Sequence, residues 1–143
     1  MNRIVDFTYL NKACSKDKLP LPRIDSLIDA IVTSKLMSLL DCYSGYHQIW
    51  MRKEDEPKTS FITPSGTYCF LRTPERLKNA RGSFNRMTTK VLSSQIGRNI
   101  LTYVDDIIVK SMKQEDHSAD LQETFANFRK TSLKLNLENT YLE

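Results

Sequence analysis

Two adjacent carboxylates, Asp105 and Asp106, stand between two short runs of β-branched and aromatic residues, 100–104 and 107–109. Runs of this kind that are separated by only two residues are typical of a tight β-hairpin with the acids at its tip. Neighbouring carboxylates repel each other, so a protein that keeps both ionised in a partly buried place needs a cation or strong hydrogen bonds there. The pair is therefore a candidate metal site.

A third carboxylate, Asp41, follows the apolar run 36–40, which is predicted to be a buried strand. If this strand lies beside the hairpin, Asp41 converges with Asp105 and Asp106, and three carboxylates form a hard-oxygen site suited to Mg²⁺. Two such ions about 3.5–4 Å apart can serve an in-line phosphoryl transfer. A pair of aspartates in a turn is more often a solvated loop tip, so the residue types alone leave both interpretations open.

Helices are predicted where apolar residues recur every three or four positions. One such segment covers residues 24–33, and a second runs from residue 79 to about 95, before Gly97. Asp116 is predicted to cap a further helix. The apolar stripe of that helix consists of Leu121, Phe125 and Phe128.

Residues 60–63 and 68–71 form two β-prone runs around a turn cluster, which predicts a second hairpin. The predicted order is therefore helix, strand, hairpin, helix, hairpin, helix. This order indicates an α+β fold in which helices pack on one face of an antiparallel sheet. A length of 143 residues with 40% hydrophobic residues predicts one domain over residues 1–143.

Composition indicates the cellular setting of the protein more clearly than it indicates a reaction. The formal net charge of +4 favours a polyanionic partner only weakly. Cys14, Cys42 and Cys69 include no Cys-x-x-Cys pair, which argues against a disulfide framework or a zinc site and favours a reducing, intracellular setting. The sequence contains neither a signal-peptide pattern nor an apolar run long enough to predict a membrane span, so no membrane partner is expected.

Longer motifs carry a family resemblance. Tyr103-Val104-Asp105-Asp106 is similar to the Tyr-x-Asp-Asp box of reverse transcriptases, and residues 39–49 resemble the first catalytic motif of Ty3/gypsy-type retrotransposon polymerases. Further similar segments occur in the family's order, at residues 5–13, 19–25, 58–64, 77–80 and 133–136. The chain is identified by this array as a member of the reverse transcriptase domain of Ty3/gypsy-type polyproteins, with plant elements as the nearest resemblance.

The resemblance implies an RNA-directed DNA polymerase built as the palm, with part of the fingers, of a right-hand polymerase. It implies that Asp41 and Asp105 bind two Mg²⁺ ions directly, with Mn²⁺ as a substitute, and that Asp106 is a supporting acid. The implied partners are an RNA or DNA template with a DNA primer, deoxynucleoside triphosphates and other parts of the polyprotein.

Nucleotide and nucleic-acid contacts are also implied by the resemblance. Tyr46 stands where the family places an aromatic ring beneath the incoming sugar, although a core aromatic is the commoner role. Arg3 is a candidate for the fingers arginine that binds the triphosphate. Lys78 and Arg86, with Arg81 and Lys90 nearby, belong to the helix expected beside the template, where the alternative is an ordinary solvated helix face.

The sequence departs from the family pattern at two places. Pro74-Glu75-Arg76 replaces Pro-Phe-Gly or Pro-Gln-Gly, which puts an acid near the nucleotide, and Ala80-Arg81-Gly82 replaces Ala-Pro-Ala. The upstream fingers strands, the thumb, RNase H and integrase are expected to lie outside residues 1–143, so sustained synthesis by this chain alone is not expected. The alternative is a non-catalytic retrotransposon relic with residual nucleic-acid binding or a protein-interaction role, and cytoplasmic particles and the nucleus both remain open as locations.

Overall fold

The computed structural model describes residues 5–18, 23–42, 45–136 and 138–142. Its helices are α1 (Thr8–Ala13), α2 (Ile24–Val32), α3 (Ala80–Val91) and α4 (His117–Thr131). Its strands are β1 (Leu36–Asp41), β2 (Phe61–Thr63), β3 (Gly66–Tyr68), β4 (Ile100–Tyr103), β5 (Asp106–Ser111) and β6 (Tyr141–Leu142). Short 3₁₀ turns cover Gly45–Gln48, Glu56–Thr59 and Gln114–Asp116.

One antiparallel sheet positions the carboxylates. Its strand order is β4-β5-β1-β6, so β5 lies between the other hairpin strand and β1. In the β1–β5 register Leu40 faces Ile107 and Asp41 faces Asp106. Because side chains alternate between the two faces of a strand, Leu40 and Ile107 enter the core whereas Asp41 and Asp106 point to the opposite face. The expected neighbourhood of β1 and the hairpin is thereby confirmed.

The core lies between the inner face of this sheet and helices α3 and α4. Phe84 of α3 and Phe128 of α4 pack with the inward residues of β1 and β5, and each is at most 3% exposed. Leu121 and Phe125 pack against the same cluster, which confirms the predicted stripe of α4. Burial of each large apolar side chain stabilises the fold by about 1.5–3 kcal/mol. The α+β class with helices over one sheet face is confirmed.

Helix α3 ends at Val91, so its predicted end near residue 95 was wrong. The chain turns after Leu92 because the side chain of Gln95 is fully buried beside α4. Its amide nitrogen donates to Thr124 Oγ1 at 3.0 Å, and its amide oxygen accepts from Asn127 at 2.9 Å. A buried amide needs such partners, and they hold Gln95 off the helical path.

The second hairpin is shorter than predicted. β3 covers Gly66–Tyr68 rather than residues 68–71, because Thr63 already pairs with Gly66 across a two-residue turn. Beyond Tyr68 the strands separate, and the amide of Phe70 donates to Thr59 Oγ1 at 3.0 Å instead of joining the ladder. Sequence spacing located the turn but not the register.

Helices α1 and α4 also differ from expectation. Helix α1 was not predicted, and the Asp6 side chain accepts a hydrogen bond from the amide of Thr8 at its start, at 2.9 Å. Asp116 precedes α4 but makes no side-chain capping bond, because a 3₁₀ turn already leads into the helix. Across the described part of the chain, none of the helices combines the length and apolarity that a membrane span requires.

Candidate active site

The hairpin tip separates the two adjacent aspartates. Val104 and Asp105 form the loop, whereas Asp106 is the first residue of β5 and pairs with Tyr103 and Asp41. The expectation that both acids sit at the tip was therefore wrong by one position. Val104 has a φ of 57°, which is costly for a β-branched residue. Such backbone strain concentrates at functional sites.

Asp41 and Asp105 line one pocket of about 250 Å³. Its other lining residues are Cys42, Gly45, Tyr46, Glu75 and Phe84. A Cβ at Gly45 would lie 2.6 Å from the Phe84 ring, so the 3₁₀ turn needs glycine to approach the core this closely. The following residue, Tyr46, packs edge-on against Phe84 with ring centroids 5.7 Å apart. The core thus positions Tyr46 in the pocket wall.

Tyr46 connects the pocket wall to the hairpin tip. Its hydroxyl donates to Asp105 Oδ1 at 2.5 Å, and the positive charge of Arg81 acts on the same phenol. Burial, followed by the bond to Asp105, raises the pKa of Tyr46, so the phenol keeps its proton for this bond. Tyr46 is therefore both a half-buried packing residue and a partner of a candidate metal ligand.

Negative charge accumulates at this end of the sheet. Partial burial, together with Asp41 and Asp105, raises the pKa of Asp106. Burial raises the pKa of Cys42 to about 12, and the charges of Asp41 and Asp105 are smaller causes of the same shift. This thiol therefore stays neutral. A bound cation would relieve the repulsion among the carboxylates.

The carboxylates fit a divalent ion only if other ligands complete its shell. No three His, Cys, Asp or Glu side chains of the described ranges are grouped closely enough to enclose a metal ion. Asp41 uses Oδ2 to accept from Asn136 at 3.3 Å and Asn139 at 3.1 Å, and Asp105 uses Oδ1 for Tyr46. Mg²⁺ commonly takes one or two protein carboxylates and completes its shell with water and substrate phosphates. The donor set fits that arrangement.

The predicted nucleic-acid contacts already have protein partners. Lys78 Nζ donates to the carbonyls of Asn11 at 3.2 Å and Cys14 at 2.8 Å, where it satisfies the end of α1. Arg86 forms an ion pair with Asp17. Both residues line a second pocket of about 580 Å³, separate from the carboxylates. Arg3 lies outside the described residues.

Three residues near the carboxylates were not predicted as part of the site. Asn136 belongs to a recognised segment, but nothing indicated that it would bond to Asp41, and Asn139 gave no signal at all. Arg81 was noted only as a basic residue on a helix. Its position where the resembled family has proline was the one signal that could have singled it out.

Comparisons with known proteins identify the family of the chain. The family model described as reverse transcriptase (RNA-dependent DNA polymerase) matches residues 2–142. The Pol polyprotein of transposon opus from Drosophila melanogaster is 40% identical over 138 residues, which are 96% of this chain and 14% of that polyprotein. An RNA-directed DNA polymerase homolog from Oenothera berteroana is 35% identical over 105 residues, covering 73% of this chain and 74% of that protein.

Solved structures show the same fold. A foamy viral protease-reverse transcriptase in complex with RNA/DNA hybrid superposes with a TM-score of 0.85 at 19% identity, covering 97% of this chain and 19% of that chain. A second foamy viral structure, in complex with double-stranded DNA, gives a TM-score of 0.75 at 21% identity, covering 97% of this chain and 23% of that one. The chain thus spans a small part of its long relatives.

Proposed function

The chain belongs to the reverse transcriptase (RNA-dependent DNA polymerase) family of retrotransposon Pol polyproteins, and we propose that it carries the nucleotidyl-transfer site of an RNA-directed DNA polymerase. Residues 1–143 would form one domain containing the palm and part of the fingers. The observation that carries this proposal is the joint lining of one pocket by Asp41, from the end of β1, and Asp105, from the hairpin tip, beside Tyr46.

Within that site, Asp41 and Asp105 would hold two Mg²⁺ ions, with Mn²⁺ as a substitute, and Asp106 would add negative charge from the neighbouring strand position. Bound divalent ions supply activation of a primer 3′-hydroxyl and stabilisation of the pyrophosphate leaving group. The Tyr46 ring would lie beneath the incoming sugar, and its edge-on packing against Phe84 would hold it in place. Its contact with the sugar would disfavour a 2′-hydroxyl and select deoxynucleoside triphosphates.

The template side is proposed from Lys78 and Arg86. Both are exposed and lie on or next to α3, and phosphate contacts there would be salt-dependent and indifferent to sequence. Because their charges already serve α1 and Asp17, each is expected to add only modestly to binding. The foamy viral relative binds an RNA/DNA hybrid in its structure, which supports a template–primer as the partner here.

Incorporation by the 143-residue chain alone should be slow. In-line attack requires the primer to be held to within a fraction of an ångström, and the carboxylate pocket offers few contacts for that purpose. A longer Pol chain that contains these residues should therefore be the more active polymerase, with the same carboxylates responsible.

Single-nucleotide incorporation on a labelled template–primer tests the proposal. It would be measured with Mg²⁺ or Mn²⁺ for the 143-residue chain and for a longer Pol chain containing it. Asp105→Asn should lower incorporation by at least about a hundredfold, since it removes a ligand that acts in the transition state. Asp116→Asn, an exposed acid before α4, is the matched control and should change little. Incorporation that survives Asp105→Asn would refute the assigned role.

A second candidate function, nucleic-acid binding without catalysis, is favoured by Glu75. Its exposed carboxylate lines the pocket and would repel a triphosphate, although His47 Nε2 lies 3.7 Å from it. Glu75→Gln keeps the shape and removes the charge. If the longer chain binds template–primer without incorporating nucleotide, and Glu75→Gln does not restore incorporation, the non-catalytic function is the better account.

A further inference from the structure

Asp41 is held from one side by two asparagine amides that follow α4 in the sequence. Asn139 Nδ2 donates to Asp41 Oδ2 at 3.1 Å, and Asn136 Nδ2 donates to the same oxygen at 3.3 Å. No donor among the described residues forms a hydrogen bond with the other oxygen, Asp41 Oδ1. The two amides therefore fix the orientation of the Asp41 carboxylate through one oxygen and leave the other able to bind a cation.

The segment that carries these amides is anchored by its backbone rather than by the carboxylate. The backbone amide of Asn136 donates to the carbonyl oxygen of Asp41 at 2.8 Å, and the preceding residue, Leu135, forms a β-bridge with Cys42. On the other side of Asn139, strand β6 pairs with β1. Because these main-chain contacts bring both amides to Asp41, the loss of one amide leaves the segment docked.

The donors that hold the candidate metal ligands are uncharged. Asp41 accepts from two amides, and Asp105 Oδ1 accepts from the Tyr46 hydroxyl. Asp17 pairs with Arg86, whereas no Lys or Arg of the described ranges forms an ion pair with Asp41 or Asp105. A cationic partner would cancel the charge that attracts a divalent ion, but an amide orients a carboxylate and leaves its charge intact. Outer partners of this kind orient the carboxylates that bind metals in proteins.

We propose that Asn136 and Asn139 are positioning residues of the metal site. Their amides hold Asp41 Oδ2, which orients the carboxylate so that Oδ1 can bind the divalent ion. Asn139 is the more specific probe of this role because its side chain is exposed, whereas Asn136 also accepts from the amide of Glu138 at 3.2 Å and supports its own turn. This inference rests on the proposed polymerase site and adds two positioning residues to it.

Binding of Mn²⁺ alone, followed by electron paramagnetic resonance of the unbound ion, tests the inference without nucleotide or turnover. Asn139→Leu keeps the approximate shape of the side chain and removes its amide, so it should weaken Mn²⁺ binding about tenfold, as expected for the loss of an outer partner of a ligand. The double variant with Asn136→Leu should bind more weakly still. Asn139→Gln keeps an amide on a longer side chain and should lie between wild type and Asn139→Leu.

Asn127→Leu is the matched control. The side chain of Asn127 donates an amide hydrogen bond of the same kind, at 2.9 Å, but its acceptor is Gln95 Oε1 beside α4 rather than a carboxylate. Loss of this partly buried bond should lower the thermal unfolding temperature and leave the affinity for Mn²⁺ unchanged. Asn139→Leu should do the reverse, because Asn139 is exposed and its segment keeps its backbone contacts.

Weaker Mn²⁺ binding by Asn139→Leu at an unchanged unfolding temperature, with the reverse in Asn127→Leu, supports the proposal. Wild-type binding by both Asn139→Leu and the double variant overturns it. So does an equal loss of affinity and stability in Asn139→Leu and Asn127→Leu, since that result would reflect general loosening of the fold. If Asp105→Asn also leaves Mn²⁺ binding at the wild-type level, the proposed polymerase site itself fails. If Asp105→Asn removes binding and the Asn139 variants do not, only the positioning role fails.

Discussion

The two ends of the β1–β5 strand pair carry polar clusters of opposite character. At one end, Asp41 faces Asp106 next to the strained loop of Asp105. At the other, Ser38 and Ser111 surround His117 of α4, which is only 5% exposed. The carboxylates of the first cluster repel one another and are partly open to solvent, whereas the second cluster is buried and fully hydrogen-bonded.

The buried cluster forms a continuous chain of hydrogen bonds. Ser38 Oγ and Ser111 Oγ each lie 2.8 Å from a different ring nitrogen of His117. The Ser111 hydroxyl donates to Asp120, so it must accept from His117 Nδ1, and Asp120 also accepts from Asn99 at 2.6 Å. Satisfied networks of this kind stabilise one arrangement of a fold. The repulsion and strain at the other end do not stabilise the fold, and they fit the binding role proposed for the carboxylates.

The largest effect on stability is expected from the buried cluster. His117→Ala would leave the Ser38 and Ser111 hydroxyls buried without their ring partner, which should lower the free energy of unfolding by roughly 3 kcal/mol. Urea unfolding followed by circular dichroism measures the change. His47→Ala, at an exposed position, should cost less than about 0.5 kcal/mol. Equal losses of stability in the two variants would show that the buried cluster contributes no more than an exposed histidine.

A smaller effect of opposite sign is expected at the hairpin tip. Val104→Gly should raise the free energy of unfolding by up to about 1 kcal/mol, because glycine adopts a positive φ without the clash that a Cβ creates. The same urea measurement applies. Val32→Gly, at the exposed end of α2, removes the same side chain where the backbone is helical and should not stabilise the protein. Destabilisation by Val104→Gly would show that the tip is not strained.

The smallest effect concerns the facing carboxylates and depends on pH. Folding raises the pKa of Asp106, so the protonated carboxyl favours the folded state. This contribution to stability is complete below the unfolded pKa of 3.8 and is lost as pH rises through the folded pKa. Asp106→Asn should therefore stabilise the protein at pH 7, by roughly 0.5 kcal/mol or less, because solvent screens a like-charged cross-strand pair at an exposed position. The gain should shrink as pH falls toward 3.8.

Asp55→Asn is the control for that pH profile. The hydrogen bond from Lys58 lowers the pKa of Asp55, so its contribution is present above the unfolded pKa and is lost as pH falls through the folded value. This variant should thus be slightly less stable than wild type at pH 7. If the difference in stability between Asp106→Asn and wild type were the same at every pH, the proposed repulsion among the carboxylates would be contradicted.

Sequence periodicity predicted the parts of both regions that local pattern controls. The strand before Asp41, the hairpin at Asp105 and the stripe of α4 were all predicted because their apolar residues repeat over several positions. The end of α3 was missed, since Gln95 is held by Thr124 and Asn127 from a distant part of the chain. Contacts of that kind leave no local signal.

In the candidate site, too, some features were predicted from local sequence and others depend on distant contacts. The three carboxylates could be selected by residue type and family resemblance, but the placement of Asp105 at the hairpin tip and of Asp106 in β5 depends on the pairing register. The bonds from Asn136 and Asn139 to Asp41 join distant parts of the chain, so no local spacing predicts them.

The central claim is that the carboxylate end of the β1–β5 pair binds divalent cations and the histidine end does not. Titration of Mg²⁺ into the ¹⁵N-labelled chain, followed by nuclear magnetic resonance, tests it most directly. The amide shifts should concentrate around Asp41, Asp105 and Asp106, leave Ser111 and His117 unmoved, and disappear in Asp105→Asn. Shifts spread evenly over the exposed acids, or undiminished by Asp105→Asn, would contradict the account.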